Sequence, residues 1–529
     1  MGNVLQDLLF GTRLLWKDKG FTLTTLCTLV VCLGANAAIF AIVHSVLLRP
    51  LPFPESDRVV LTYTSYPRAG AIHSSTSVPD YFDRLRDVPA FAEAAMFRDR
   101  GLALGSEGSV MRVDALTVTP SFFPLLRARA LRGRLFRPED GEVGKEHKVI
   151  LSYGLWQRLF AGSESALGKD VRIGGEPYSV VGVMPEDFLF LRAETQLWIP
   201  VAFTPHERAD ESRHSNNWTM IGRLKPGATV ELAQQQIDAL NARNLERFPA
   251  LKQPLLTAGF HSVAVPLQDD LVSDLRPILY LLWGGVVCVL LIGCVNLTNL
   301  TLVRASGRLK ELAIRQSLGA GHLRIARQLL LESTLLTVVG GLGGLLLGRW
   351  VLSWLAHLAL EEMPRGSEIH MDAVVVGAML GVALVIGLVL GVVPVVKLLR
   401  ANASTLLRDE GRGGTAGHGA RRVRRALVTA QFAFAFILLV SAGLLAASFR
   451  RVLAIHPGFD PDGVLTARIS RPAARDAKDP AITAFATRLL AATRRLPGVQ
   501  AAGITSSIPF GGSYSSSVIF PEGYAFSKD

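Results

Sequence analysis

Five stretches of this chain stay apolar for about 20 residues or more, at 21–48, 278–302, 329–355, 373–397 and 426–447. A bilayer's hydrocarbon core is about 30 Å thick and takes roughly 20 helical residues to cross. Each stretch therefore predicts a membrane span, because a helix satisfies its own backbone hydrogen bonds where no water can. A mean hydropathy of +0.33 over 529 residues agrees with this. The fold class that follows is a multi-span α-helical membrane protein.

The charge has a place on this map. Lys and Arg number 56 against 44 Asp and Glu, a net +12. Arg13, Lys17 and Lys19 precede the first span. Arg304, Arg308, Lys310, Arg315, Arg324 and Arg327 lie between the second and third. Lys397, Arg400, Arg408, Arg412, Arg421, Arg422, Arg424 and Arg425 lie between the fourth and fifth. All three segments fall on one side, which the positive-inside rule makes cytoplasmic. Glu361, Glu362, Glu368 and Asp372 then fall outside. No basic and aromatic groove pattern accompanies the arginines, so nucleic acid is not the expected partner. Residues 1–20, with Val4, Leu5, Leu8, Leu9 and Trp16 on one helical face, read as a helix on the inner lipid surface. Ala35-Asn36-Ala37 imitates a signal cleavage site, but the apolar run continues past it, so an uncleaved anchor is expected. Cys27, Cys32, Cys288 and Cys294 all lie inside spans and leave the redox compartment open.

Residues 49–277 are polar enough, and numerous enough, for a folded domain with its own core. RVVLTYT, HKVILS and YSVVGVM read as strands, while PDYFDRLRD and VELAQQQIDALNARNLERF read as amphipathic helices. A large α+β domain inserted after the first span is predicted, in two lobes divided near Asn217. After the fifth span the pattern starts again: FPESDRVVLTYTS at 53–65 is echoed by FDPDGVLTARIS at 459–470. RLPGVQAAGITSS also echoes RDVPAFAEAAMF, with a strand expected after Pro497. Residues 448–529 thus read as a partial second repeat, the start of a second outer domain in a truncated chain.

Chemistry is sparse. GSESALGKD at 162–170 misplaces its first glycine for a phosphate loop and has Asp170 where a hydroxyl is needed, so it reads as a turn. The eleven histidines lack metal spacing. No catalytic, cofactor-binding or metal-ligating residue is predicted. Within the spans, Gly340, Gly344 and Gly348 recur every fourth residue, as do Gly377 with Gly381 and Gly387 with Gly391, predicting grooves for close helix packing. Asn296 and Asn299 offer interhelical hydrogen bonds. Glu332 begins the third span near the inner interface, and the second and fourth spans hold no deep charge, which disfavours an ion relay.

Residues 303–328 then stand out. In RLKELAIRQSLGAGHLRIARQLLLE, Leu309, Leu312, Ala313 and Gln316 share a helix face, Glu311 and Arg315 pair on another, and Gly319 with Gly321 turns the chain. A short cytoplasmic helix held between two spans is a mechanical handle. The stretch resembles the R-x-x-E-[IL]-x-[IL]-R-x-[AS]-L-G-A signature of the MacB and FtsX type of permease, in the type VII ATP-binding-cassette group. It matches at Arg308, Glu311, Leu312, Ile314, Arg315, Ser317, Leu318, Gly319 and Ala320. ILSYGLWQRLFAGSESALGKDVRIGGEPYSVVGVMPEDFLF resembles the MacB periplasmic core. The start of the chain and its restart resemble the duplicated orphan permeases first described in acidobacteria. The resemblance implies a permease domain over 278–400, a basic cytoplasmic linker at 398–425 and a coupling helix at Arg308, Glu311, Leu312, Arg315, Leu318, Gly319, Ala320 and Gly321. It further implies a separate ATPase of the MacB/LolD type that supplies the ATP, an inner-membrane location with 49–277 and 448–529 in the periplasm, a periplasmic adaptor or substrate protein, and pairing with a second permease unit. The alternatives it leaves are an FtsX-like signal transmitter acting on a periplasmic partner and an inactive fragment of a duplicated permease.

Overall fold

The structure is a computed structural model that describes residues 13, 16–106, 109–188, 190, 195–317, 321–357, 365–366, 369–400, 418–467, 469, 480–505 and 508. The chain divides into two compact units, Met1–Arg49 with Val272–Val464, and Pro50–Leu271 with Leu465–Asp529.

Among the described residues, five helices of the first unit are long and apolar enough to cross a membrane, and their spanning parts are Lys19–Leu48, Arg276–Ala305, Leu323–Leu355, Ala373–Val396 and Arg425–Leu453. The first is α1, Lys19–Val43, which runs directly into a π-helical turn at His44–Leu48. Glycine sets how closely these helices approach. A Cβ at Gly344 would stand 2.9 Å from Leu33 Cβ and 3.0 Å from the Gly34 nitrogen, so at this point the third span helix lies on the backbone of α1. Leu29 and Leu33 of α1 and Leu297, Ala383, Ile386 and Leu390 of the second and fourth span helices form the buried seam. The fifth span helix is exposed along its length.

The second unit is a mixed sheet of eleven strands among the described residues. In chain order these are β1 Val59–Tyr66, β2 Ala71–Ser74, β3 Phe91–Ser106, β4 Ser109–Val118, β5 Arg132–Gly133, β6 Lys148–Leu151, β7 Asp170–Ile173, β8 Glu176–Val183, β9 Leu197–Pro200, β10 Thr219–Leu224 and β11 His261–Pro266. The order across the sheet is β11, β1, β10, β3, β4, β9, β6, β8, β5, with β2 on β1 and β7 against β3 and β8. Only β4 with β9 and β6 with β8 run parallel. Helix α2, Val78–Asp87, begins where Ser77 accepts the Asp80 amide, and Pro79 sits in its first turn, where a missing N–H costs nothing. Helix α3, Tyr153–Phe160, and α4, Val230–Arg247, are capped likewise by Ser152 and Thr229. Ala233, Ile237 and Leu240 give α4 one buried face, which packs with Val78 and Tyr81 of α2 on Met96 and Met220 of the sheet. Elsewhere Phe97, Phe122, Phe123, Phe136 and Trp198 make an aromatic core, each such burial stabilising by about 1.5–3 kcal/mol.

Two expectations change here. No lobe begins at Asn217, because β10 returns to the middle of the sheet and pairs with both β1 and β3. A strand's partners are chosen across the whole chain, and a polar stretch beside it does not reveal them. The echo of the first unit does not become strand either: residues 464–467 and 499–505 form none, since an extended segment without a neighbouring ladder gains no pairing energy. Pro480–Thr493 does form a helix. The 162–170 segment is a turn, with Gly162 and Gly168 at φ 74° and 79° and a single helical turn at Glu164–Ala166.

Candidate functional site

The second span helix, α5, runs unbroken over Arg276–Ser317, about 63 Å at 1.5 Å per residue. The expected separate coupling helix is therefore the continuation of the span itself. Gly307 costs about 1 kcal/mol inside a helix, and without proline that is too little to end one. Arg308, Glu311, Leu312 and Arg315 lie on this extension, with side chains outside the described residues, as Leu318, Gly319 and Ala320 are altogether. Gly321 is the residue before α6, His322–Ala356, and its carbonyl accepts the Arg324 amide.

Arg304 stands where α5 leaves its apolar part. Its Nη1 donates to Glu332 Oε1 at 2.7 Å, its Nε is 3.3 Å from Asp18 Oδ2, and its guanidinium lies 4.3 Å from the Phe21 ring centre. Three helices are thus tied through one cation. Glu332 is 5% exposed, so the pair is buried, and removing one partner of a buried pair costs about 3–5 kcal/mol. The sequence reading gave Arg304 a topological part and Glu332 an interfacial one. The i,i+28 relation that joins them across a turn carries no local signal.

The remaining ties along the bundle are polar and small-residue contacts. Asn36 Nδ2 donates to the Val286 carbonyl at 2.9 Å, linking α1 to α5. Ala37 beside it, part of the false cleavage site, lies instead against Gly348 of α6. Asn299 Oδ1, by contrast, has no hydrogen-bond partner. Gly340, Gly344 and Gly348 face Leu29, Leu33 and Ala37 of α1. Gly387 and Gly391 of α7, Ala373–Arg400, face Thr334 and Leu330 of α6. The packing groove expected at Gly377 and Gly381 is not seen among the described residues, where a Cβ at either would meet nothing within 4 Å. At the opposite end of the bundle, Arg365 donates to the carbonyls of Val46 and Arg49 at 3.0 and 2.8 Å, holding the π turn. There His44 Nδ1 stands 3.3 Å from Asp372 Oδ2, without hydrogen-bond alignment. Asp372 accepts the Val375 amide at the start of α7, which lowers its pKa.

The sheet domain holds a second buried polar network. Arg213 donates to Asp80 at 2.6 Å, Asp83 at 2.9 Å and Asp210 at 2.7 Å. Arg84, fully buried, is held by the hydroxyls of Thr62, Thr76 and Ser262, and burial lowers its pKa. Burial pushes Tyr66 up to about 12, against the hydrogen bond from Asn216. Burial also lowers His214, whose Nδ1 is 2.8 Å from the Tyr66 hydroxyl. This network joins α2 and α4 to β1 and β11. Among the described residues no group of three or more His, Cys, Asp or Glu is placed to hold a metal.

Residues 22–240 match the family model of the MacB-like periplasmic core domain, and residues 283–403 match that of the FtsX-like permease C-terminal region. The chain joins a MacB-like periplasmic core domain to an FtsX-like permease domain. It is similar to the macrolide export ATP-binding/permease protein MacB of Neisseria meningitidis, 27% identical over 48% of this chain and 37% of that protein. It is similar also to the probable syringafactin export ATP-binding/permease protein SyfD of Pseudomonas syringae, 27% identical over 46% of this chain and 35% of that protein. The chain thus spans little more than a third of the length of these curated relatives. A solved structure of the periplasmic region of MacB from Actinobacillus actinomycetemcomitans covers 42% of this chain and 94% of its own, at 14% identity and a TM-score of 0.30. The FtsX-like region contains the extension of α5, the Arg304–Glu332 pair and the α6–α7 contact; the MacB-like match includes most of α1 and most of the sheet.

Proposed function

We propose that this chain is the permease subunit of an ATP-driven export or envelope-remodelling system, of the duplicated orphan type, in a bacterial inner membrane. The end of the bundle carrying Arg304 faces the cytoplasm and the MacB-like domain faces the periplasm. A separate ATPase subunit of the MacB/LolD type binds and hydrolyses ATP, and no cofactor is bound by this chain itself. The extension of α5 past Ala305, with Arg308, Glu311, Leu312, Arg315 and the Leu318–Gly321 turn, is the surface this ATPase grips. A second permease unit completes the assembly, and the periplasmic domain works on an adaptor or substrate protein.

The observation that carries this reading is the continuity of α5. Twelve residues beyond Ala305 make an arm of about 18 Å. Because the helix does not break, displacement of the arm tilts the span, and Arg304 passes part of that motion to α1 and α6. Force is then transmitted without a polar path for solute through the membrane. Replacing residues 309–318 by Gly-Ser should abolish the permease-stimulated hydrolysis of the cognate ATPase reconstituted in nanodiscs. Undiminished stimulation would rule the arm out. Impermeant thiol labelling that found a cysteine at 315 and one in the sheet domain on the same membrane face would overturn the topology.

A further inference from the structure

The Arg304–Glu332 pair borders a cavity of about 40 Å³ where α1, α5, α6 and α7 meet. Phe21 and Thr25 of α1 and Leu390 and Pro394 of α7 line it together with the pair. Two further features make it more than a packing gap. Thr24 and Thr28 of α1, like Thr298 and Thr301 of α5, satisfy their hydroxyls on the carbonyl four residues earlier. Thr25 does not: it is 2% exposed and its Oγ1 has no hydrogen-bond partner. Pro394, inside α7, has no N–H to give to the carbonyl of Leu390. The lining of the cavity therefore includes Glu332, Thr25 with its unpaired hydroxyl, and the turn of α7 that lacks a donor. A void of about one probe sphere admits a water when two or more polar partners face it, and an apolar void of this size would stay dry.

We propose that this cavity is a built-in water site. Water bound there donates to the Leu390 carbonyl and bonds the Thr25 hydroxyl and the Glu332 carboxylate. It solvates the buried ion pair and replaces the backbone bond that Pro394 removes. Because water can exchange partners, α7 can shift along α6 at this level without stranding a carbonyl. The site stands on its own geometry and does not rest on the permease reading.

Thr25→Val keeps the shape and removes the hydroxyl, so the two states of the cavity give opposite signs. With water bound, the valine takes away one of its partners and the melting temperature of the full chain in lipid nanodiscs falls. In a dry cavity the same change relieves an unpaired buried hydroxyl, and the melting temperature holds or rises, which would overturn the proposal. A second measurement is X-ray hydroxyl-radical labelling of the unmodified chain in nanodiscs, since radicals form from water at the site. Leu329 and Leu336, which also line the cavity, should label several-fold faster than Leu29 and Leu33, which are buried at 1% in the seam and do not line it. Equal protection of all four would equally sink the idea.

Discussion

At the residue scale, the sheet domain keeps a titratable group neutral by enclosing it. His214 sits in left-handed backbone, φ 68°, against the Tyr66 hydroxyl. Its pKa in the fold lies below the ordinary 6.5 because burial penalises the charged ring. The unfolded chain then binds a proton first as pH falls, so His214 gives its full contribution above pH 6.5. That contribution drains away as pH drops from there to the folded-state pKa. The thermal midpoint should fall across that window, and His214→Asn should remove this part of the pH dependence, as scanning calorimetry of both proteins at several pH values would show. None of this was legible beforehand. The sequence shows eleven scattered histidines, and the one that matters is marked only by a distant tyrosine. Arg304 and Glu332 are hidden in the same way, each ordinary in its own segment.

At the element scale the sequence was more informative, because helices report their partners through local spacing. The helices over 78–87 and 230–247 follow from their apolar spacing, and both are present. Glycine spacing is an ambiguous signal by comparison. The i,i+4 rows at 340–348 and at 377–381 look alike, yet the first lies on α1 and the second meets no described residue. A leucine should tell them apart. Gly344→Leu forces α1 and α6 apart, and overpacking of this kind costs about 1–3 kcal/mol or more. Gly377→Leu should be close to neutral. Thermal unfolding of the two variants in nanodiscs gives the comparison, and equal losses would mean that the close approach at Gly344 is not maintained in a bilayer. The handle shows the opposite error. Its apolar face was visible, but its fusion with the span was not, because nothing in local periodicity distinguishes a turn from a continuing helix across Ala305 to Arg308.

For the whole molecule, the governing feature is where the late segment of the sheet domain goes. β10 enters between β1 and β3, so strands nearly 160 residues apart in sequence become neighbours. Pairing at that separation must wait for the rest of the domain, and once made it is protected from both sides. Amides of Thr219–Leu224 should be among the slowest to exchange in hydrogen–deuterium exchange of the full chain. Fast exchange there, with β6 and β8 protected, would restore a divide at Asn217. The spans could be read from composition because the bilayer imposes a length rule on each segment separately. The sheet order could not, since no such external ruler acts on it. The π turn at His44–Leu48 has a consequence of its own. It winds more residues into a revolution than an α turn does, and Arg365 clasps the carbonyl of Val46 within it and that of Arg49 just past it. Were that clasp released, retightening to ordinary winding would swivel the emerging strand of chain by up to about 100° and let it out by about 1.5 Å. The exit from α1 thus stores a small screw motion, ready-wound, in the backbone itself.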